Sequence, residues 1–230
     1  MKKTRLDCIV SLIRDGARIA DVGCDHAYIT TEALRLGKAV FAVASDVRPG
    51  PLCRARDNIE AAGLSRKTAL LLTDGLDGIE KYAPDDIIIA GMGGELIAEI
   101  IDRAPFVKNG DIRLILQPMT AQDKLRAYLS DKGFEIIREL LPVEHSHIYQ
   151  VIAARYTGSP YSLTPAELCV GAYGAKSEED KETFRTLLRR STAKYEKIIQ
   201  NKSASSNTEK ESRLIEGFKA LLKETYDENG

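Results

Sequence analysis

Arg18-Ile19-Ala20-Asp21-Val22-Gly23-Cys24-Asp25-His26-Ala27-Tyr28 runs from a short apolar segment through a glycine into three side chains with bonding chemistry. A helical pattern starts near Ala27. A strand that ends in Asp-Val-Gly and passes at once into a helix is the ligand-binding turn of a doubly wound sheet. The glycine admits a ligand to bare backbone, and the helix N-terminus is electropositive. A dinucleotide fingerprint would continue G-x-G-x-x-G with small residues, whereas Gly23 is followed by Cys24, Asp25 and His26. Those side chains would obstruct a pyrophosphate, and a carboxylate would repel it. The same turn suits a cationic sulfonium ligand such as S-adenosylmethionine, which has no phosphate.

Outward from this turn, apolar runs alternate with amphipathic stretches. After residues 29–36 come Ala39 to Asp46, the stretch 50–62, Thr68 to Asp74, Asp86 to Gly91, the stretch 96–103 and Arg113 to Gln117. Near-continuously apolar strands separated by helices predict a mostly parallel sheet covered on both faces. A helix over 121–132 and an antiparallel pair, 135–141 and 148–156, close the sheet edge and bring it to seven strands. Leu6, Ile9, Val10 and Ile13 at helical spacing predict a helix before the first strand.

Gly158-Ser-Pro-Tyr-Ser-Leu-Thr-Pro165 breaks the pattern and reads as a linker. Beyond it Phe184, Leu187, Leu188, Tyr195, Ile198 and Ile199 share one helical face, and Leu214, Phe218, Leu221 and Leu222 another. The polar stretch 201–210 between them reads as a loop. The expected organisation is an α/β domain over residues 1–157 and a coiled-coil-like helical hairpin over 158–230.

The chain has 230 residues, 43% of them hydrophobic and 29% charged, with 33 Lys+Arg against 34 Asp+Glu. This is a globular composition, which excludes a disordered, collagenous or membrane-embedded chain. No apolar run approaches the roughly 18 residues of a membrane span, and the start lacks a signal-peptide core, so a cytoplasmic protein is expected. The four cysteines form no C-x-x-C pair, and His145-Ser-His147 has no third ligand, so no metal is expected. A net charge of −1 gives no global pull toward nucleic acid. A polyanion would have to be held by a local basic patch.

The candidate ligand residues sit at strand ends. Asp21 and Gly23 close the first strand, Asp46 ends the second, where a carboxylate can take both ribose hydroxyls, and Asp74 ends the third, where it can hold an adenine amino group. Each could instead be a turn residue or cap. Three carboxylates at the C-terminal ends of consecutive strands favour a ligand. Gly91-Met92-Gly93-Gly94 brings bare backbone against that ligand. Gln117-Pro118-Met119 offers an amide that could read a base edge.

Asp-Val-Gly-Cys-Asp-His-Ala-Tyr (21–28), Ile-Ala-Gly-Met-Gly-Gly (89–94) and Leu-Gln-Pro-Met (116–119), in this order and followed by a helical hairpin, resemble the bacterial tRNA (adenine-22-N1)-methyltransferase family. The resemblance spans essentially the whole chain. It implies a class I, Rossmann-like methyltransferase fold, S-adenosylmethionine as donor and tRNA as acceptor, with 1-methyladenosine as product. The family's functional positions then fall on Asp25 and His26, on Asp46 and Asp74, and on the Gly91–Gly94 turn.

Neutral adenine has a lone pair on N1, so no proton need leave before methylation, which places positive charge on the ring. A carboxylate at the N1/N6 edge stabilises that charge. Asp25 is the candidate, with capping of the next helix as its alternative role. His26 could orient the base or Asp25, or simply pack. Tyr28 could stack on the adenine or belong to the core. Lys181, Arg185 and Arg189 recur every four residues and could follow a phosphate backbone, or form a solvated face. Arg5 could reach over the cofactor turn or be a surface charge. A monomer is expected. Rival readings are a methyltransferase of small molecules or proteins, a non-catalytic RNA-binding or cofactor-sensing protein, and a nicotinamide-dependent dehydrogenase, which the Cys24-Asp25-His26 side chains disfavour.

Overall fold

The structure, a computed structural model, describes residues 3–172, 178–202 and 207–227. The chain runs α1 (Arg5–Leu12), β1 (Ala17–Val22), α2 (Tyr28–Arg35), β2 (Ala39–Asp46), α3 (Pro49–Ala61), β3 (Thr68–Leu72), β4 (Asp86–Gly93), α4 (Gly94–Asp102) and β5 (Arg113–Thr120). It continues α5 (Gln122–Asp131), β6 (Phe134–Leu140), β7 (Val143–Glu144), β8 (His147–Ile148), β9 (Val151–Tyr156), α6 (Pro165–Val170), α7 (Glu178–Gln200) and α8 (Glu209–Asp227). α1 starts on a reciprocal cap, in which the Thr4 hydroxyl accepts the Asp7 amide and the Asp7 carboxylate accepts the Thr4 amide.

Seven strands form one sheet in the order β3-β2-β1-β4-β5-β9-β6, and β7 and β8 pair as a separate ribbon. β3 to β5 are parallel, while β9 is antiparallel to both of its neighbours. The expected sheet is present, its edge closed by the antiparallel pair of β6 and β9, with β9 inserted between β5 and β6. Val151 to Ala154 are all buried, whereas in β6 Glu135, Ile136 and Ile137 are half-buried and Arg138 is exposed. The more continuously apolar strand takes the doubly covered place.

Ile87, Ile88 and Ile89 of β4 are fully buried at the centre. One face of the sheet packs against α4 and α5 residues such as Ile97, Ile101, Leu125 and Leu129, the other against α1 and α2 residues such as Ile9, Leu12 and Leu34. The β1–β4 switch of strand order therefore opens between covered faces, at the C-terminal edge.

The segment after β9 is not a free linker. The Tyr161 amide donates to the Ser130 carbonyl at 3.1 Å and its hydroxyl to the Phe134 carbonyl at 3.3 Å. α7 and α8 pack on each other and share a core with Leu141, Ala166 and Val170. A Cβ on Gly217 would come within 2.7 Å of the Ala166 Cβ, so α8 and α6 touch at backbone distance. The hairpin is thus a pair of helices seated on the α/β domain. Of the expected loop over 201–210, residues 203–206 lie outside the described residues.

At the seam, Arg126 of α5 is fully buried with Glu139 of β6. Its Nε and Nη2 donate to Glu139 Oε1 at 2.8 and 2.6 Å, Nη2 also to Gln150 Oε1 at 2.6 Å, and Nη1 to the Leu168 carbonyl of α6 at 3.0 Å.

Candidate active site

A cleft of about 620 Å³ lies beyond the C-terminal ends of β1, β2 and β4. Its floor is the turn after β1. The Gly23 and Cys24 amides both donate to the Ser45 carbonyl of β2, at 2.8 and 2.9 Å, which ties the turn to the neighbouring strand. Gly23 has φ +70°, and a Cβ there would stand 2.2 Å from Met92 Cε. Glycine is required for the conformation, while the Met92 methyl, at the end of a flexible side chain, could move aside. Gly91, at φ +80°, faces open space, whereas a Cβ on Gly94 would meet the Ala121 carbonyl oxygen at 2.2 Å. The first glycine of the Gly-Met-Gly-Gly turn bares the backbone, and the last lets α4 pack on the turn before α5.

Of the residues singled out in the sequence, Arg5, Gly23, Asp25, His26, Tyr28, Asp46, Asp74, Gly91 and Met92 line this cleft. Asp46, 6% exposed, sits at the end of β2 with Oδ1 accepting the Arg48 amide at 2.9 Å. Asp74 lies two residues beyond the end of β3 instead of on it. Both its oxygens accept from Arg103, at 3.0 and 3.1 Å, and this bond holds its carboxyl below the usual range.

Asp25 adopts φ +45° and Ala27 φ +54°, left-handed conformations that L residues seldom occupy. The Asp25 side chain is 57% exposed and accepts from Arg54 Nη2 at 2.8 Å. The Arg54 bond keeps its carboxyl well ionised, below its ordinary value. Asp25 does not cap α2, whose N-cap Ala27 has no side-chain bond. His26 stacks on Tyr28 with ring centroids 5.3 Å apart and planes 10° apart. Tyr28 is 60% exposed, so it is a surface ring at the cleft and not a core residue.

Other candidates are placed elsewhere. Asp21 is buried beneath the turn, where its Oδ2 accepts the Thr30 amide at 3.3 Å and the Thr30 hydroxyl at 2.8 Å. It caps α2 from the sheet. Burial pushes its carboxyl up to about 6, against the pull of the two Thr30 bonds. Gly93 is not on the cleft wall. Gln117 and Pro118 are buried, and Gln117 is turned inward. Its Oε1 accepts the Gly91 amide and Arg5 Nη1, each at 3.2 Å, while its Nε2 donates to the Pro118 carbonyl at 3.1 Å. A base reader would need those atoms, and here they brace the glycine turn. Met119 is exposed, with its sulfur 3.5 Å from Arg5 Nη1. Lys181, Arg185 and Arg189 stand on α7, off the cleft. Arg185 is held by Thr225 and lies over the Tyr226 ring, and Arg189 bonds the Tyr226 hydroxyl at 2.6 Å.

Sequence reading missed Arg54, Asn58 and Glu144. The Asn58 amide donates to the His26 carbonyl at 2.9 Å, and Glu144 Oε1, on the β7–β8 ribbon, accepts the Arg5 amide at 2.5 Å. No local signal distinguishes them from other polar residues on a helix or turn. Among the charged lining residues are four carboxylates, Asp25, Asp46, Asp74 and Glu144, against two arginines, Arg5 and Arg48. That wall, with bare backbone at Gly23 and Gly91, suits a cationic, phosphate-free ligand, and the volume lies in the range of about 300–1,000 Å³ usual for small-molecule sites. Among the described residues, no group of three His, Cys, Asp or Glu could hold a metal, and no helix is long and apolar enough to cross a membrane.

The family model described as a methyltransferase domain matches residues 2–152. The Bacillus subtilis tRNA (adenine(22)-N(1))-methyltransferase is 33% identical, over 97% of this chain and 96% of its own length. Among solved structures, Streptococcus pneumoniae Sp1610 in complex with S-adenosyl-L-methionine superposes with a TM-score of 0.82 at 31% identity, covering 96% of this chain and 100% of the other. The B. subtilis M1A22 tRNA methyltransferase TrmK superposes with a TM-score of 0.72 at 30% identity, covering 99% and 97%.

Proposed function

The chain belongs to the tRNA (adenine(22)-N(1))-methyltransferase family, and from that premise we infer that the cleft carries methyl transfer to N1 of adenine 22 of tRNA, with Asp25 at the base. It is an S-adenosylmethionine-dependent enzyme, and tRNA is its acceptor. The observation that carries the assignment of roles is the Asp25 carboxylate, ionised and open to solvent, on the wall that also holds Gly23, Asp46 and Gly91.

Bound S-adenosylmethionine supplies an electrophilic methyl on sulfonium: the N1 lone pair forms the new N–C bond, sulfur keeps the electrons of the broken S–C bond, and the positive charge passes to the base. Asp46 is placed to accept ribose hydroxyls with its carboxylate. Gly23 and Gly91 let the donor lie against the backbone, with Met92 between them. Asp74, shared with Arg103, is the candidate for the adenine amino group of the donor. Asp21 acts from below, by fixing the start of α2.

On the acceptor side, the target base must leave its stack, at a cost of a few kcal/mol. The stacked His26–Tyr28 pair offers it a ring face at the cleft, and Asp25 meets the N1/N6 edge where charge develops. Arg5, which also lines the cleft, lies over the Tyr149 ring at 5.2 Å, next to Met119. The hairpin, residues 158–230, is assigned to docking the tRNA body, with Lys181, Arg185 and Arg189 as its candidate phosphate contacts. The acceptor is a cytoplasmic molecule, which supports a cytoplasmic enzyme.

The test is transfer of labelled methyl from S-adenosylmethionine into unmodified tRNA, followed by nucleoside analysis. The wild type should yield 1-methyladenosine. Asp25→Ala should bind the cofactor normally and lose methylation by roughly 100-fold or more, the scale of one electrostatic group acting at developing charge. Full activity of Asp25→Ala removes the carboxylate from the mechanism. Cofactor binding with no labelled RNA removes the acceptor.

A further inference from the structure

The turn that presents Asp25 and His26 is strained and has no cap of its own. Two of its residues, Asp25 and Ala27, hold positive φ without being glycine, and the N-cap position of α2 has no side-chain bond. Such conformations persist only where surrounding contacts over-determine them. The entry to the turn is fixed by the Ser45 carbonyl, and Cys24 packs against Leu52, Ala55 and Ile59 of α3. Beyond Cys24, the Ala27 amide donates back to the Cys24 carbonyl at 2.7 Å, and two contacts from α3 hold the residues between. Arg54 Nη2 donates to Asp25 Oδ1 at 2.8 Å, and Asn58 Nδ2 donates to the His26 carbonyl at 2.9 Å. Residues four apart on a helix project from one face.

We propose that Arg54 and Asn58 of α3 are positioning residues that clamp the Asp25–His26 turn, one by its carboxylate and the other by its backbone, in the geometry methyl transfer requires. The proposal rests on the role assigned to Asp25 above. The Arg54 bond occupies Oδ1 and leaves Oδ2 facing His26 Nε2 at 3.8 Å. Arg54 does not reach the reacting atoms itself. It sets which carboxylate oxygen is presented. Asn58 fixes the height of His26, and with it the ring that stacks on Tyr28.

The experiment uses the full-length enzyme and unmodified tRNA, with Arg54→Ala, Arg54→Lys, Asn58→Ala and Asp25→Asn, and with Arg54→Ala and Asn58→Ala each combined with Asp25→Asn. Each single alanine variant should lower kcat by roughly ten- to hundredfold, the effect of misplacing a catalytic group by about 1 Å. Cofactor affinity and KM for tRNA should stay within about threefold, because the loss is confined to the transition state. Arg54→Lys should recover part of kcat. In the residual activity of Asp25→Asn, Arg54→Ala should cost less than about twofold, since residues acting through one group do not add.

Should Asn58→Ala lower the thermal midpoint sharply, Asn58→Asp, of the same size but with no N–H for His26, carries the same expectation. A raised KM for tRNA with unchanged kcat makes Arg54 a phosphate contact and overturns the proposal. So does a loss from Arg54→Ala that adds fully to that of Asp25→Asn, or wild-type kcat in either single alanine variant. If Asp25→Asn retains wild-type kcat, the role of Asp25 falls and the proposal falls with it. If Asp25→Asn is slow while the α3 variants are not, the role of Asp25 stands and only the clamp is lost.

Discussion

Asp21 shows how a residue picked for one purpose can serve another. Its place at the end of β1 suggests a ligand contact, yet its carboxylate points into the protein and holds the first turn of α2 through Thr30. The folded-state value near 6 lies above the usual carboxylate value of about 3.9. Between those values the folded protein keeps a proton that the unfolded chain has released. Stability from this group is therefore fully present below about pH 4 and is lost as pH rises through about 6, a change on the order of 3 kcal/mol. Asp21→Asn removes the titration but keeps an oxygen for Thr30. Urea unfolding without cofactor at pH 4 to 7 should show the variant gaining on the wild type across that window. Parallel stability curves would mean that Asp21 is already ionised at pH 4. Asp25, four residues on, sits in the opposite condition, exposed and held ionised by Arg54. Two carboxylates in one short motif are separated in role by burial and by the partner each meets.

At the scale of elements, the joint between the sheet and the C-terminal helices is polar at its centre. Arg126 ties α5 to Glu139 of β6, to Gln150 just before β9, and to the last turn of α6. Removing one partner from a fully buried pair leaves the other charge uncompensated. Arg126→Met should therefore cost about 3–5 kcal/mol, while replacing Glu139 by Leu in the same chain should recover most of it. Chemical denaturation of both variants measures this; equal stability of the single and double variants would show that the charge of Glu139 finds water. The alternation of apolar runs made the elements themselves legible, and α1, α2 and α3 start within a residue of the expected places. What periodicity did not reveal was the place of β9. The partner of an added strand is chosen by which edge buries its side chains, and that depends on both neighbours at once.

At the scale of the whole molecule, the hairpin and the sheet share a core at Leu141, so the boundary near Thr157 is an expected division of labour and not a gap between bodies. A chain ending at Thr157 loses the Leu168 bond to Arg126 and exposes Leu141. It should be less stable, yet the cleft residues all precede the boundary. Cofactor affinity by calorimetry should stay within about threefold while tRNA binding weakens and loses part of its salt dependence, which reports phosphate contacts. Equal loss of both would make the hairpin a brace for the catalytic domain. Arg185 and Arg189 are bonded within the hairpin, so any phosphate contact by them must compete with Thr225, Tyr226 and Glu182.

The order of strands and helices, the ligand-binding turn after the first strand, and the preference of that turn for a phosphate-free cation were all set by short stretches of sequence. Glycine, apolar periodicity and the charge of a side chain act on their immediate neighbours, so they can be read without knowing the fold. The partnerships were not. Arg54 meets Asp25 across 29 positions, and Arg5 meets Gln117 across 112. Gln117 spends its amide on Gly91, and Arg126 lies buried beside Glu139. These follow from parallel crossovers and an inserted antiparallel strand, which bring distant residues to one edge of the sheet. Polarity on a helix face does not disclose what it will touch, and only the packed chain decides which carboxylate is buried and which is left open to a substrate.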